Sequence, residues 1–160
     1  MVYLRHVVSA SVLTVALALA ALPLKAVENG LRTVPAKQGS TATLEKLDKA
    51  IKARGMKIFA HIDHQAGAKE YGLSMPASTV VMFGNPKAGT PIFLKKPTLA
   101  IDLPLKMLVW DDASGKTFVT YNTAEYVLGT QFARHGLKAP ANVVAKRAKM
   151  LNDLATSAAN

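Results

Sequence analysis

Residues 83–110, FGNPKAGTPIFLKKPTLAIDLPLKMLVW, decide how the fold is read. They close one apolar strand, insert a short helix and launch another strand around a single carboxylate, Asp102. The strand that runs into Phe83 is Thr79 to Phe83, TVVMF, a continuous β-branched and apolar run that predicts a central strand buried on both faces. Gly84-Asn85-Pro86 stops it as a tight turn. Thr90-Pro91 fits an N-cap followed by proline at the first helical position, so one or two helical turns are expected from Pro91 to Lys96, ending before Pro97. Asp102 lies between Ile101 and Leu103 just ahead of Pro104, and a carboxylate in such apolar company must be paired or hydrogen-bonded if it is buried. Leu105 to Trp110 forms the next strand, Asp112-Ala113-Ser114-Gly115 a hairpin turn, and Lys116 to Tyr121 its antiparallel partner.

Outward from this stretch the pattern stays regular. Leu31 to Val34 reads as a short first strand before Pro35. Ser40 or Thr41 can cap a helix in which Leu44, Leu47 and Ile51 recur at helical spacing, with Glu45/Lys49 and Asp48/Lys52 as i,i+4 pairs on the wet side and Gly55 at the end. Met56 to His64 alternates as a strand, placing Met56, Ile58, Ala60, Ile62 and His64 on one face and Lys57, Phe59, His61 and Asp63 on the other. Gln65 to Met75 is a short helix or irregular loop. Asn122 and Glu125 resemble a capping box for a helix over Thr123 to Arg134, closed by Gly136, with His135 favoured at its C-terminus by the helix dipole. Pro140 opens a last helix with Val143, Val144, Met150, Leu151 and Leu154 as its apolar stripe. The order is β-α-β-loop-β-α-β-β-α-α. That order argues for one α+β domain, a mainly antiparallel sheet with helices packed on one face.

The 160 residues leave room for one domain with a sizeable core. Arg5 and His6 precede an apolar run from Val7 to Leu22 broken by Pro23, and a small residue follows at Ala26, the layout of a secretory signal peptide over residues 1–26. Cleavage after Ala26 is preferred, with Ala18-Leu19-Ala20 as the second choice and an uncleaved anchor as the alternative. The expected location is therefore the bacterial periplasm or the outside of the cell, with at most peripheral membrane contact after cleavage. The chain has no cysteine, which excludes a disulfide framework, a thiolate metal site, a cysteine nucleophile and a covalently attached c-type haem. The formal charge of +10 becomes +8 once Arg5 and Lys25 are removed, 18 basic residues against 10 acidic. Such a surface attracts anionic lipid or an acidic partner. With aromatics at 6% and none interleaved with the basic residues, the stacking platform for single-stranded nucleic acid is missing, and no nucleic-acid partner is expected.

Among the chemistry-bearing residues, His64 stands out, because it continues the apolar face where its strand ends. A neutral imidazole there can ligate a metal or haem iron or act as an acid/base; the plainer reading is a buried histidine satisfied by a carbonyl. His61 faces the other way, so a chelate with His64 is not expected. Trp110 and Tyr121 complete the candidate set with Asp102; both are more often core residues with polar tips than cofactor platforms.

At FGNPKAGTP, AIDLPLKMLVW and YNTAEYVLGTQFARHGL, preceded by HIDHQAGA, the sequence resembles the domain-of-unknown-function 302 family. The resemblance covers the first helix to about Leu137 and implies a compact α+β domain, often exported and often a homodimer, with no established reaction. The matching positions are His64, Gly84, Asn85, Pro86, Asp102, Pro104, Lys106, Trp110 and Tyr121. On this reading residues 27–137 are the common domain and 138–160 a basic helical extension. Three functions compete. The first is a non-catalytic dimer holding an apolar small molecule, haem in its sharpest version, anchored by His64 beside Met56, Met82 and aromatic residues. The second is an acid/base enzyme, a hydrolase or isomerase, that uses Asp102 with His64. The third is an electrostatic interaction protein for an acidic partner or a membrane surface.

Overall fold

The computed structural model describes residues 29–160, and the signal segment read above lies outside them. The elements are β1 (Leu31–Pro35), α1 (Ser40–Ala53), β2 (Lys57–Asp63), α2 (His64–Glu70), β3 (Ser78–Gly84), α3 (Pro86–Lys95), a 3-10 turn (Pro97–Ile101), β4 (Leu105–Asp111) and β5 (Thr117–Asn122). A π-helical segment (Tyr126–Gln131) then runs into α4 (Phe132–Arg134), and α5 (Ala141–Ala159) closes the chain. All neighbouring strands pair antiparallel in the order β1-β5-β4-β3-β2, as an α+β domain requires.

Register fixes which side chains share a face. Val81 pairs with Met107 and Met107 with Tyr121, while Phe83 pairs with Leu105 and Val109 with Val119. These residues are buried with Leu47 and Ile51 of α1 and Leu151, Leu154, Ala155 and Ala158 of α5 in one cluster, so one face of the sheet carries the helices. The segment set apart as an extension from residue 138 thus contributes core side chains through α5. Phe83, Leu47, Met107 and Leu154 are fully enclosed, and truncating any one would remove both transfer energy and packing contacts.

The opposite face carries Val80, Met82, Leu108, Trp110 and Phe118, which are only half-buried. The expectation that β3 is covered on both sides is therefore corrected: its Val81 and Phe83 are buried, and its Val80 and Met82 are not. A bulge between Ile58 and Ala60 changes the reading of β2. Ile58 pairs with Phe83, but after the bulge His61 pairs with Val81 and Asp63 with Thr79, so His61 turns toward α1 and Ile62 toward the open face. One extra residue inverts a period-2 pattern, and the alternation read from the sequence had no means of detecting it.

Helix α3 begins five residues before the expected Pro91. Asn85 is its N-cap, its side chain accepting the Lys87 amide at 3.0 Å, and Pro86 takes the first position. Gly84-Asn85-Pro86 is thus a strand-to-helix junction and Pro91 is inside the helix. At the other helix start, the Thr123 hydroxyl rather than Asn122 accepts the Tyr126 amide, at 3.2 Å.

Candidate functional site

The sequence candidates are spread over both faces and both ends of the sheet. His64 is the first residue of α2, exposed, with Asp63 as the N-cap accepting the Ala66 amide at 3.0 Å. The apolar setting expected for its imidazole is absent, because the chain has already left the strand. His61 sits with Nε2 3.0 Å from Asp48 of α1. Trp110 is on the open face, where its indole stacks on Phe118 at 5.0 Å and its N–H donates to Thr120 at 2.9 Å. Tyr121 is buried under the helices, and that burial raises its phenol above its ordinary value.

Asp102 lies beyond the Leu105 end of β4, whereas His64 follows Asp63, whose neighbour Thr79 pairs with Val109. Four residues of strand, roughly 13 Å, separate the two ends. The acid/base pair of Asp102 with His64 does not form. Asp102 instead meets a histidine that the sequence reading had explained by the helix dipole. Its Oδ2 is 2.7 Å from His135 Nε2, its Oδ1 is 3.4 Å from the Arg134 guanidinium, and His135 Nδ1 is 2.9 Å from the Thr98 hydroxyl. An ionised carboxylate only accepts, so Nε2 donates to it, and in a neutral ring Nδ1 then accepts the Thr98 hydroxyl. The Lys106 ammonium donates to the Asp102 carbonyl at 3.3 Å. The array joins the turn before β4 to the residue that ends α4. Its order of carboxylate, imidazole and hydroxyl matches that of a nucleophilic triad, but none of the three lines the large cavity of the molecule.

That cavity, about 540 Å³, lies along the end of the sheet where β3 leaves and β4 enters. Its walls come from Phe59 and Ala60 at the β2 bulge, Met82 and Gly84 of β3, and Ala88, Gly89, Ile92 and Phe93 of α3. Leu103, Pro104 and Leu105 form the approach to β4, and Val127, Leu128 and Phe132 complete the apolar lining. The volume falls within the roughly 300–1,000 Å³ of small-molecule sites. Polar lining is sparse. The Asn85 side chain is spent on capping α3, and the remaining polar group is the guanidinium of Arg147 on α5. Arg147 is half-buried, and burial lowers its pKa from the ordinary arginine value.

No histidine lines the cavity, and among the described residues no group of three or more His, Cys, Asp or Glu is arranged to hold a metal ion. The bulge, the extent of α3 and Arg147 were missed from the sequence. Only Arg147 left a usable trace: it lies three and four residues from Val144, Val143, Met150 and Leu151, within the apolar stripe rather than opposite it.

The family model described as domain of unknown function DUF302 matches residues 32–155. The chain belongs to the DUF302 family. The match continues into α5, past residue 137. A DUF302 protein of known structure, the uncharacterized conserved protein from Bacillus stearothermophilus, shares the fold with a TM-score of 0.67 at 17% identity, over 81% of this chain and 98% of that one. The chain is also 37% identical over 120 residues to the fluoride-specific ion channel FluC 1 of Brucella suis biovar 1 (strain 1330), covering 75% of this chain and 46% of that protein. FluC 2 of Brucella melitensis biotype 1 matches at 37% over 120 residues, with 43% of its length covered. The DUF302 chain thus spans less than half the length of these curated relatives. No described helix is long and apolar enough to cross a membrane.

Proposed function

We propose that this DUF302 chain is an exported, non-catalytic module that holds an apolar small molecule in the 540 Å³ cavity and acts as a dimer. The observation that carries the reading is the cavity itself, apolar on nearly every side and walled by a helix, a turn and a π-helical segment. The anchor differs from the expected one. His64 is outside the cavity, so the ligand is a flexible alkyl or similar molecule rather than a haem held by that histidine. Support for the dimer comes from the open sheet face, where Ile62 (43% exposed) and Phe59 (47%) join Val80, Leu108, Trp110 and Phe118. Five strands about 4.8 Å apart and about 20 Å long present roughly 500 Å². Two copies stacked on that face bury about 1,000 Å², the lower bound for a specific interface, and a two-fold stack lets the same patch serve both partners.

Calorimetric titration of the purified chain with decan-1-ol tests the cavity. Binding is expected, abolished by Leu128→Trp, which fills the space; no heat with the wild type, or unchanged binding in the variant, would overturn it. Sedimentation of Leu108→Asp tests the dimer, which is expected to dissociate to monomers; a wild-type monomer at every concentration, or a variant that still dimerises, contradicts it.

A second reading draws on the relatives named as fluoride channels. The chain matches less than half of their length, and on this reading it serves as an accessory beside such a channel. Deleting it should raise fluoride sensitivity in the host cell; unchanged growth in fluoride would refute this role.

A further inference from the structure

We infer that the cavity ligand is a single-chain amphiphile with an anionic oxygen head, and that Arg147 binds that head. The inference rests on the cavity being a ligand site and adds to it the chemical class of the occupant. Arg147 is the one cation in the lining, and it is half-buried against apolar walls. A guanidinium taken partly out of water needs oxygen partners for its five donors. Here one nitrogen meets only the Met150 sulfur, at 4.0 Å, and no ion pair of Arg147 is present among the described residues.

The acid on Arg147's own helix is already committed. Asp153, the single acid on α5, takes the Lys149 ammonium at 2.8 Å and the Arg54 guanidinium at 3.6 Å. The neighbouring Lys146 and Lys149 are exposed and lie outside the cavity lining, so Arg147 alone is presented to a bound molecule. A planar fork of donors beside an apolar chamber matches a carboxylate or phosphate carried on an alkyl chain. The chain's net charge of +10 further raises the local concentration of anions over that of neutral analogues.

The test compares decanoate, decyl phosphate and decan-1-ol by calorimetry at pH 7, on the wild type and on Arg147→Met and Arg147→Gln. Charge-assisted hydrogen bonds predict that at least one of the two anions binds about 10-fold to 100-fold tighter than the alcohol. Which anion gains more identifies the head group, and inorganic phosphate alone should bind at least 100-fold more weakly than decyl phosphate, since most of the contact is alkyl. Either variant should erase the preference, so that on the same variant the anions bind no tighter than decan-1-ol; the pair guards against one of them misfolding, which circular dichroism detects. Equal affinity of the alcohol and both anions in the wild type, or a preference that survives both substitutions, overturns the role of Arg147 but leaves the cavity reading standing. Failure of all three ligands to bind overturns both.

Discussion

Replacing Asp102 with alanine tests whether the carboxylate is a scaffold element. Its side chain is 10% exposed and His135 is 6% exposed, so the 2.7 Å contact between them is shielded from water. Removing the acceptor leaves a buried ring N–H unsatisfied, at a cost of about 1–3 kcal/mol. The Arg134 contact adds little, because that side chain is 60% exposed and such pairs contribute about 0.2–1 kcal/mol. A loss of about 2 kcal/mol is expected, which in a domain of this size lowers Tm by roughly 6–10 °C. Asp102→Asn keeps an oxygen acceptor and should cost less than half as much. Urea denaturation of the two single variants, His135→Ala and the Asp102→Ala/His135→Ala double variant completes a cycle. The double variant should be more stable than the sum of the single losses predicts, with a coupling above about 0.5 kcal/mol. Additive losses, or an Asp102→Ala cost below about 0.5 kcal/mol, would refute the scaffold role.

Further substitutions probe other parts of the fold. Leu154→Ala, at a fully buried position of α5, should cost about 2–5 kcal/mol in urea denaturation, and truncation after residue 137 should prevent cooperative folding altogether. Gly30 has φ of +77°, and an added Cβ would come within 2.6 Å of the Tyr126 ring; Gly30→Ala should therefore lower stability by more than about 1 kcal/mol, read as a shift in the denaturation midpoint. Asp112 accepts the Ser114 hydroxyl at 2.7 Å and the Ser114 and Lys116 amides at 2.8 and 3.0 Å, which hold its carboxyl below the ordinary value of 3.8. A carboxyl depressed in the folded state adds stability that is full above the unfolded value and fades as pH falls through the folded one. Asp112→Asn should flatten the loss of stability as pH falls below the ordinary carboxyl value of 3.8, measured as Tm against pH; an unchanged slope would contradict the assignment.

Regular periodicity made most of the fold legible. Leu44, Leu47 and Ile51 on α1 and the apolar stripe of α5 repeat at helical spacing, and the Asp112–Gly115 hairpin announced an antiparallel pair, borne out by the β4–β5 register. The misreadings came where one residue changes the phase. The bulge after Ile58 reversed the faces of His61 and Ile62, and the helix start at Asp63 removed His64 from the strand on which its candidacy depended. Asn85-Pro86 carries both a turn and a helix-start signature, and local propensity does not choose between them. The candidate cavity was hardly legible, since it joins residues from β2 to α5 that are close only after the chain folds. Asp102 was recognised as needing a partner, but His135, 33 positions away, has no sequence mark that pairs it with this carboxylate.

The central claim is that the cavity between β3, α3 and the π-helical segment is where a ligand resides. Methyl-labelled NMR during titration with decan-1-ol tests it directly, because the relevant side chains are distributed between the two alternatives. Met82, Ile92 and Leu128 line the cavity, whereas Ile62 and Leu73 are exposed elsewhere. Saturable shifts confined to the first three support the account. Shifts centred on Ile62 or Leu73, or no saturable response at Met82, Ile92 and Leu128, would contradict it.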